Sequence, residues 1–204
     1  MKNIIFIGIA FGFTLMATIA HAQNATYRSF IENLLESNIK VWIQEPTVIE
    51  SIKAQNTKNA ELTQNKIQDL DKQWRAERKA SQQPLIDNVL ANPLSKFLQE
   101  VKEQNGELFS EVFIMDNKGL NVGQSDITSD YWQGDEAKWQ QTYLAGPGSV
   151  LIGDREFDDS SGKFLIQVSV TVVDPDSQQA IGAATVGVNL VQLMRISTAA
   201  ATSQ

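Results

Sequence analysis

The chain has 204 residues, a formal net charge of −7, one histidine and no cysteine. An acidic surface repels phosphate backbones and anionic headgroups, so nucleic acid is not an expected partner. Without cysteine there are no disulfides, thiolate metal sites or thiol nucleophiles. The one histidine, His21, lies in a segment read as a leader, which removes imidazole catalysis and histidine-ligated metals from the mature chain.

Residues 1–22 read as a secretory signal peptide. Lys2 supplies the charged start, Ile4 to Ile19 a nearly continuous apolar core, and Ala20-His21-Ala22 an A-x-A cleavage site. Cleavage after Ala22 predicts a periplasmic or otherwise exported protein; the competing reading is an uncleaved anchor, since the apolar run is only slightly shorter than a membrane-spanning helix.

Residues 23–106 read as a helical region. Tyr27, Phe30, Ile31, Leu34, Leu35, Ile39 and Trp42 fall on one stripe with spacings of three and four. Pro46 ends or kinks this helix. Val48, Ile49 and Ile52 continue the stripe, which thins and resumes at Leu62, Ile67, Leu70 and Trp74. The expectation is one long helix on the sheet at both ends, with a weak homodimer along its narrow seam as the alternative use. Pro84 opens a short helix. Asn92-Pro93 opens another as N-cap and first helical residue, with Leu94, Phe97, Leu98 and Val101 as its apolar face and Asn105-Gly106 as its stop.

Residues 107–196 read as a sheet with strands over Glu111 to Met115, Leu120 to Gln124, Ser149 to Asp158, Phe164 to Val173 and Ala180 to Leu190. The turns Asp116 to Gly119, Asp159 to Gly162 and Asp174 to Ser177 are short, which predicts antiparallel pairing. Alternation puts Phe164, Ile166, Val168, Val170 and Val172 on one face, towards the helix, and Leu165, Gln167, Ser169, Thr171 and Val173 on the other. The last strand is rich in Gly and Ala, predicting that something fills the space above it. The tail 197–204 is expected to fray. The fold class is therefore α+β: a PAS-like central antiparallel sheet of about five strands, a long N-terminal helix on one face and a short helical or loop insert, 125–148, on the other.

The insert carries Tyr131, Trp132, Trp139 and Tyr143. Trp132, Trp139 and Tyr143 are spaced by seven and four, which predicts a shared helical face. They pack on the sheet or, as a set with polar tips, form the lid of a small-molecule pocket. The floor would be Gln167, Ser169 and Thr171. Arg155, on the face shared with Phe157, is either an anion partner for a ligand or half of an ordinary ion pair. Asp154, Glu156 and Asp158 alternate along one strand and could with Asp159 offer oxygen ligands to Ca²⁺, but no D-x-D-x-D-G loop accompanies them and a solvated acidic edge is the reading adopted. Asp158 and Asp174 could pair for glycosidase-type chemistry, yet nothing places them about a shared bond. The chain is read as a non-enzyme without cofactor or metal.

Taken in order, four stretches resemble the Cache, or PDC, sensor domains, PAS-like extracytoplasmic modules of chemoreceptors, histidine kinases and diguanylate cyclases. These are Val112 to Gly119, Ser129-Asp130-Tyr131-Trp132, Phe157 to Lys163 and Ala180 to Leu190. The resemblance implies a ligand site at the aromatic insert and the closing strand, adding Phe157, Asp158 and Asn189 to the candidate set. Amino-acid-binding members carry an Arg before the aromatic pair and an Asp near the end of the last strand; here Thr128-Ser129-Asp130 and Asn189 stand there, which argues against the usual zwitterion. The resemblance further implies a stand-alone exported form that binds a small organic ligand and signals to a membrane-bound receptor, kinase or cyclase. The competing expectation is a periplasmic accessory protein of the same fold with no ligand.

Overall fold

The computed structural model describes residues 27–158 and 162–202, so the predicted leader and most of the 159–162 turn lie outside the described residues. Among the described residues no helix is long and apolar enough to cross a membrane.

The first helix, α1, covers 27–42, with a π-helical turn at Leu35–Ile39. Its stripe buries Ile31, Leu35, Ile39 and Trp42, as the spacing predicts. Pro46 does not kink this helix but restarts it: Glu45 is extended and Pro46 occupies the first turn of α2 (Pro46–Lys58), where a missing N–H costs nothing. The expected long helix is broken a second time. α2 ends at Lys58, and Thr63 caps α3 (Gln64–Glu77) by accepting from the Lys66 N–H. The break has a tertiary cause, because Asn59, just past the end of α2, turns its amide onto the buried Asp116.

It also redirects the second half of the stripe. Ile67 and Trp74 do not rest on the sheet; they form a small second core with Ile86 and Val89 of α4 (Pro84–Leu90), Leu120 and Tyr131. Glu77 secures that corner, its Oε2 accepting the Leu85 and Ile86 N–H groups at the start of α4. α5 (Pro93–Gln104) begins as expected, with Asn92 Oδ1 accepting from the Ser95 N–H at 2.8 Å, and buries Leu94, Leu98 and Val101.

The strands are β1 (Phe109–Met115), β2 (Asn121–Gln124), β3 (Val150–Asp158), β4 (Lys163–Val173) and β5 (Ala180–Asn189), in the order β2-β1-β5-β4-β3 and antiparallel throughout. A four-residue helix, α6 (Ala137–Gln140), lies in the insert. α7 (Leu190–Thr202) closes the described chain, so the tail expected to fray from Ser197 is helical as far as Thr202.

One sheet face is aliphatic: Val112, Ile114, Ile166, Val168, Val170, Val172, Val186 and Val188 join α1, α2 and α5 in the main core. Each such side chain contributes roughly 1.5–3 kcal/mol by leaving water. Phe164 belongs to this face but is 44% exposed; at that end of β4 it meets Phe157 edge-on at 5.2 Å, and the Arg155 guanidinium lies over its ring.

A candidate ligand site beneath the insert

The opposite sheet face carries side chains in transverse rows fixed by strand register. Asn121, Met115, Ala183 and Thr171 form one row; Gln124, Phe113, Thr185, Ser169 and Leu151 form the next; Glu111, Gly187 and Gln167 form a third. Ser169 and Thr185 are fully buried and share a hydroxyl hydrogen bond of 2.9 Å. Glu111 Oε1 accepts from Gln167 Nε2 at 3.0 Å, and its side chain crosses the place a Cβ of residue 187 would take, 2.7 Å from Glu111 Cγ. The small residues of β5 thus make room for different neighbours: Gly187 for Glu111, Ala183 for Trp139.

The insert is fastened to three elements. From α3, Asp71 Oδ1 accepts the N–H groups of Tyr131 (2.9 Å) and Trp132 (3.1 Å), while Arg75 bridges Asp71 and Asp130. Trp74 stacks on Tyr131 with centroids 5.3 Å apart and donates its indole N–H to the Thr128 carbonyl. From the β1–β2 hairpin, the Lys118 carbonyl accepts from Trp132 Nε1 and the Asp116 carbonyl from Trp139 Nε1. From β4, Thr171 Oγ1 donates to the Gly146 carbonyl.

Asp116 is the joint between hairpin and helices. Its buried carboxylate accepts four N–H groups: those of Lys118 and Leu120 at Oδ1 and the side-chain amides of Gln55 and Asn59 at Oδ2. A carboxylate satisfied in this way stays inside without a cation. Burial pushes the Tyr131 hydroxyl far above the ordinary phenol range, and the Asp116 charge adds to the shift. Tyr143 moves the same way for the same causes.

Trp139 and Tyr143 stack at 5.2 Å and cover Phe113, Met115 and Ala183. Lys138, its side chain 14% exposed, holds its ammonium 5.5 Å from the centre of the Phe113 ring, pairs with Glu136 at 2.8 Å and donates to Gln133 Oε1. Across the strand from Phe113, Gln124 is fully buried, and its side-chain NH₂ has no partner among the described residues. The orientation of that amide is fixed by its neighbours. Asn121 Nδ2 must donate to the Asp130 carbonyl and therefore also meets Gln124 Oε1 as a donor, leaving Gln124 Nε2 and Asn121 Oδ1 unpartnered.

Of the candidate residues, Trp139, Tyr143, Gln167, Ser169 and Thr171 share this face. Tyr131 and Trp132 do not join them: helix spacing fails because α6 starts only at Ala137, and Asp71 draws the pair towards α3. Arg155 and Phe157 lie on the aliphatic face, register partners of Ile166 and Phe164 beyond an irregularity after Ile152. Arg155 is exposed, its guanidinium 5.2 Å from the centre of the Phe164 ring. Asn189, though on the correct face, accepts with Oδ1 from the Val191 and Gln192 N–H groups and so caps α7. The Asp158 side chain lies outside the described residues, while Asp154 and Glu156 are exposed.

Phe113, Lys138, Asn121 and Gln124 lie outside the candidate residues that the sequence suggests. Extending alternation to β1 would have put Phe113 and Met115 opposite the aliphatic face. Lys138 is signalled only by its place beside Trp139; no local pattern marks the two amides.

No protein-family model matches the sequence, and no curated relative does. Similar solved structures include the sensor domain of the Vibrio cholerae histidine kinase DctB, at 14% identity over 91% of this chain and 60% of that one, TM-score 0.46. Another is the sensory domain of the Campylobacter jejuni chemoreceptor Tlp3 with isoleucine bound, at 14% identity over 84% and 66%, TM-score 0.40. A third is the ligand-binding domain of the Pseudomonas aeruginosa amino-acid chemoreceptor PctC in complex with GABA, at 14% identity over 88% and 63%, TM-score 0.40. The chain spans less than two thirds of the length of each of these structures.

Proposed function

We propose that this chain is an exported, non-enzymatic sensor module that binds a small organic anion between the sheet and the insert. The observation that carries the reading is the Gln124 side-chain NH₂, buried and without a partner among the described residues, flanking the Phe113 ring over which Lys138 holds its ammonium. Leaving a buried donor unpaired costs about 1–3 kcal/mol, which an acceptor on a ligand recovers. A carboxylate suits Gln124 and Lys138 together, and the unpartnered Asn121 Oδ1 takes a donor from the same molecule. Trp139 and Tyr143 form the lid. Occupancy reaches the helical layer through Trp139, Asp116 and the amides of Gln55 and Asn59 on and just after α2, and from there a membrane-bound receptor, kinase or cyclase.

A thermal-shift panel of small carboxylates tests this. A ligand at about 100 times its dissociation constant adds roughly 2.7 kcal/mol of stability, a rise of several degrees in Tm. Lys138→Met and Gln124→Leu should abolish the shift. A broad carboxylate panel that leaves Tm unmoved would count against the reading.

The seat of Trp139 on Phe113, Met115 and Ala183 favours a second reading, an accessory protein whose site is filled by its own ring. In that case Gln124→Leu stabilises the free protein without affecting function, and the native envelope yields one stoichiometric partner. A homodimer along α1 has less to support it, because Ile31, Leu35 and Ile39 are committed to the core.

A further inference from the structure

The turn that ends α5 carries a reactive dipeptide. Asn105 alone among the asparagines of the chain is followed by glycine. Glycine has no Cβ to crowd its amide nitrogen and reaches backbone conformations closed to other residues. Gly106 uses that freedom, with φ at 54°; it is exposed, and nothing outside its chain neighbours lies within 4 Å of the place a Cβ would take. An asparagine beside such a nitrogen is open to attack on its own side chain. The Gly106 nitrogen gives its proton to a base in the solvent and bonds to Asn105 Cγ; the Cγ–Nδ2 bond breaks, and ammonia leaves after taking a proton from water. The five-membered imide then adds one water, at Cγ to give aspartate or at the main-chain carbonyl of the same residue to give isoaspartate.

The fold holds Asn105 back from this reaction. Its Nδ2 donates to the Val101 carbonyl at 2.8 Å, and its Oδ1 accepts from Asn38 Nδ2, on α1, at 3.0 Å. Both bonds draw the side chain back along α5 and towards α1, whereas the attack needs Cγ turned forward onto Gly106. The Asn105 backbone is tied as well, its N–H bonded to the Val101 and Lys102 carbonyls. Reaction therefore waits for the last turn of α5 to open, and chain segments at the ends of elements open at the least cost. The product fits the place badly. The oxygen that replaces Nδ2 faces the Val101 carbonyl, acceptor against acceptor, and a carboxylate at a helix C-terminus opposes the macrodipole. Glu103 and Glu107, two residues to either side, add like charge.

We infer that Asn105 is a site of spontaneous deamidation, masked by its bonds to Val101 and Asn38, and that conversion to a carboxylate releases the end of α5 from α1. The site is separate from the insert, and the assignment does not rest on the anion-binding proposal.

Peptide mapping by mass spectrometry of the full mature chain, aged in mildly alkaline buffer with and without urea, tests the assignment. In urea Asn105 should convert before any other asparagine, with isoaspartate among the products; without urea it should convert about tenfold more slowly. Asn38→Ala removes one of the two restraining bonds and should speed the folded-state reaction about fivefold. If that variant fails to fold by circular dichroism, Asn38→Leu, of similar size, takes its place. Gly106→Ala, followed in urea where its effect on the fold plays no part, should slow conversion. Asn105→Asp should unfold at lower urea than the parent. Equal rates with and without urea, earlier conversion of another asparagine in urea, or a folded-state rate unchanged by the Asn38 variant would each overturn the masked site, and a parent-like midpoint for Asn105→Asp would overturn the release of α5.

Discussion

Replacing Asp116 with Ala removes a single carboxylate that serves four donors. The donors are not equally exposed, and that sets the magnitude. Gln55, Asn59 and Lys118 are half-buried, so water replaces much of what they lose, at about 0.5 kcal/mol each. Leu120 is fully buried, and its N–H left without an acceptor costs about 1–3 kcal/mol. Asp116→Ala should therefore destabilise by about 3 kcal/mol, a large fraction of the roughly 5–15 kcal/mol by which domains are stable. At about 2–4 °C per kcal/mol for a chain of this size, Tm falls by roughly 6–12 °C. Asp116→Asn keeps an oxygen for the two backbone N–H groups and obliges only Gln55 and Asn59 to turn their carbonyls inward, so it costs about 1 kcal/mol. Urea unfolding followed by far-UV circular dichroism separates the two. Equal losses, or an Ala variant within about 0.5 kcal/mol of the parent, would show that the hairpin closes without the carboxylate and refute its role as the joint.

Asp71→Ala releases the N–H groups of Tyr131 and Trp132 and should cost about 2 kcal/mol, with loss of near-UV dichroism as the Trp74–Tyr131 stack loosens; an unchanged near-UV spectrum would mean the stack holds itself. Gly182→Ala puts a Cβ 2.2 Å from the Met115 carbonyl oxygen, a backbone atom that cannot yield, whereas Gly187→Ala meets Glu111 Cγ at 2.7 Å and can push a side chain aside. Denaturant midpoints should therefore fall much further for Gly182→Ala. The hydrogen bond from Lys53 holds the Asp174 carboxyl below its ordinary value, with help from the Asp176 N–H and Ser177 hydroxyl. A lowered folded value means that the unfolded carboxyl takes up its proton first. The contribution is thus complete above about pH 4 and fades as pH falls through the folded value. Lys53→Gln should flatten the loss of stability between about pH 5 and 3, read from urea midpoints; a slope identical to the parent would sink the assignment.

Much of the fold follows from periodicity. Alternation in β4 marks the aliphatic face because Ile166, Val168, Val170 and Val172 must all point one way, and all four enter the main core. Asn92-Pro93 marks the start of α5 because a cap and a donor-free first residue are local chemistry. The site was less legible. Gln167, Ser169 and Thr171 follow from the same alternation, but the spacing of Trp132, Trp139 and Tyr143 suggested one face where the chain forms no helix until Ala137.

The amino-acid sequence by itself determined the order of the strands, the turns that make the sheet antiparallel and the two faces of β4, since all of these depend on neighbours a few positions away. Tertiary structure alone decided that Asp71 draws Tyr131 and Trp132 towards α3, that Asn59 leaves its helix for Asp116, and that Asn189 caps α7 rather than facing the insert. It also decided that Gln124 and Asn121 meet with hydrogen-bonding groups left unpartnered among the described residues. The physical reason is that a buried polar group must be satisfied by whatever the fold brings near it. The Tyr131 and Trp132 N–H groups that Asp71 accepts, and the Gln55 and Asn59 amides that Asp116 accepts, are some 60 positions away in sequence, beyond the reach of any local pattern.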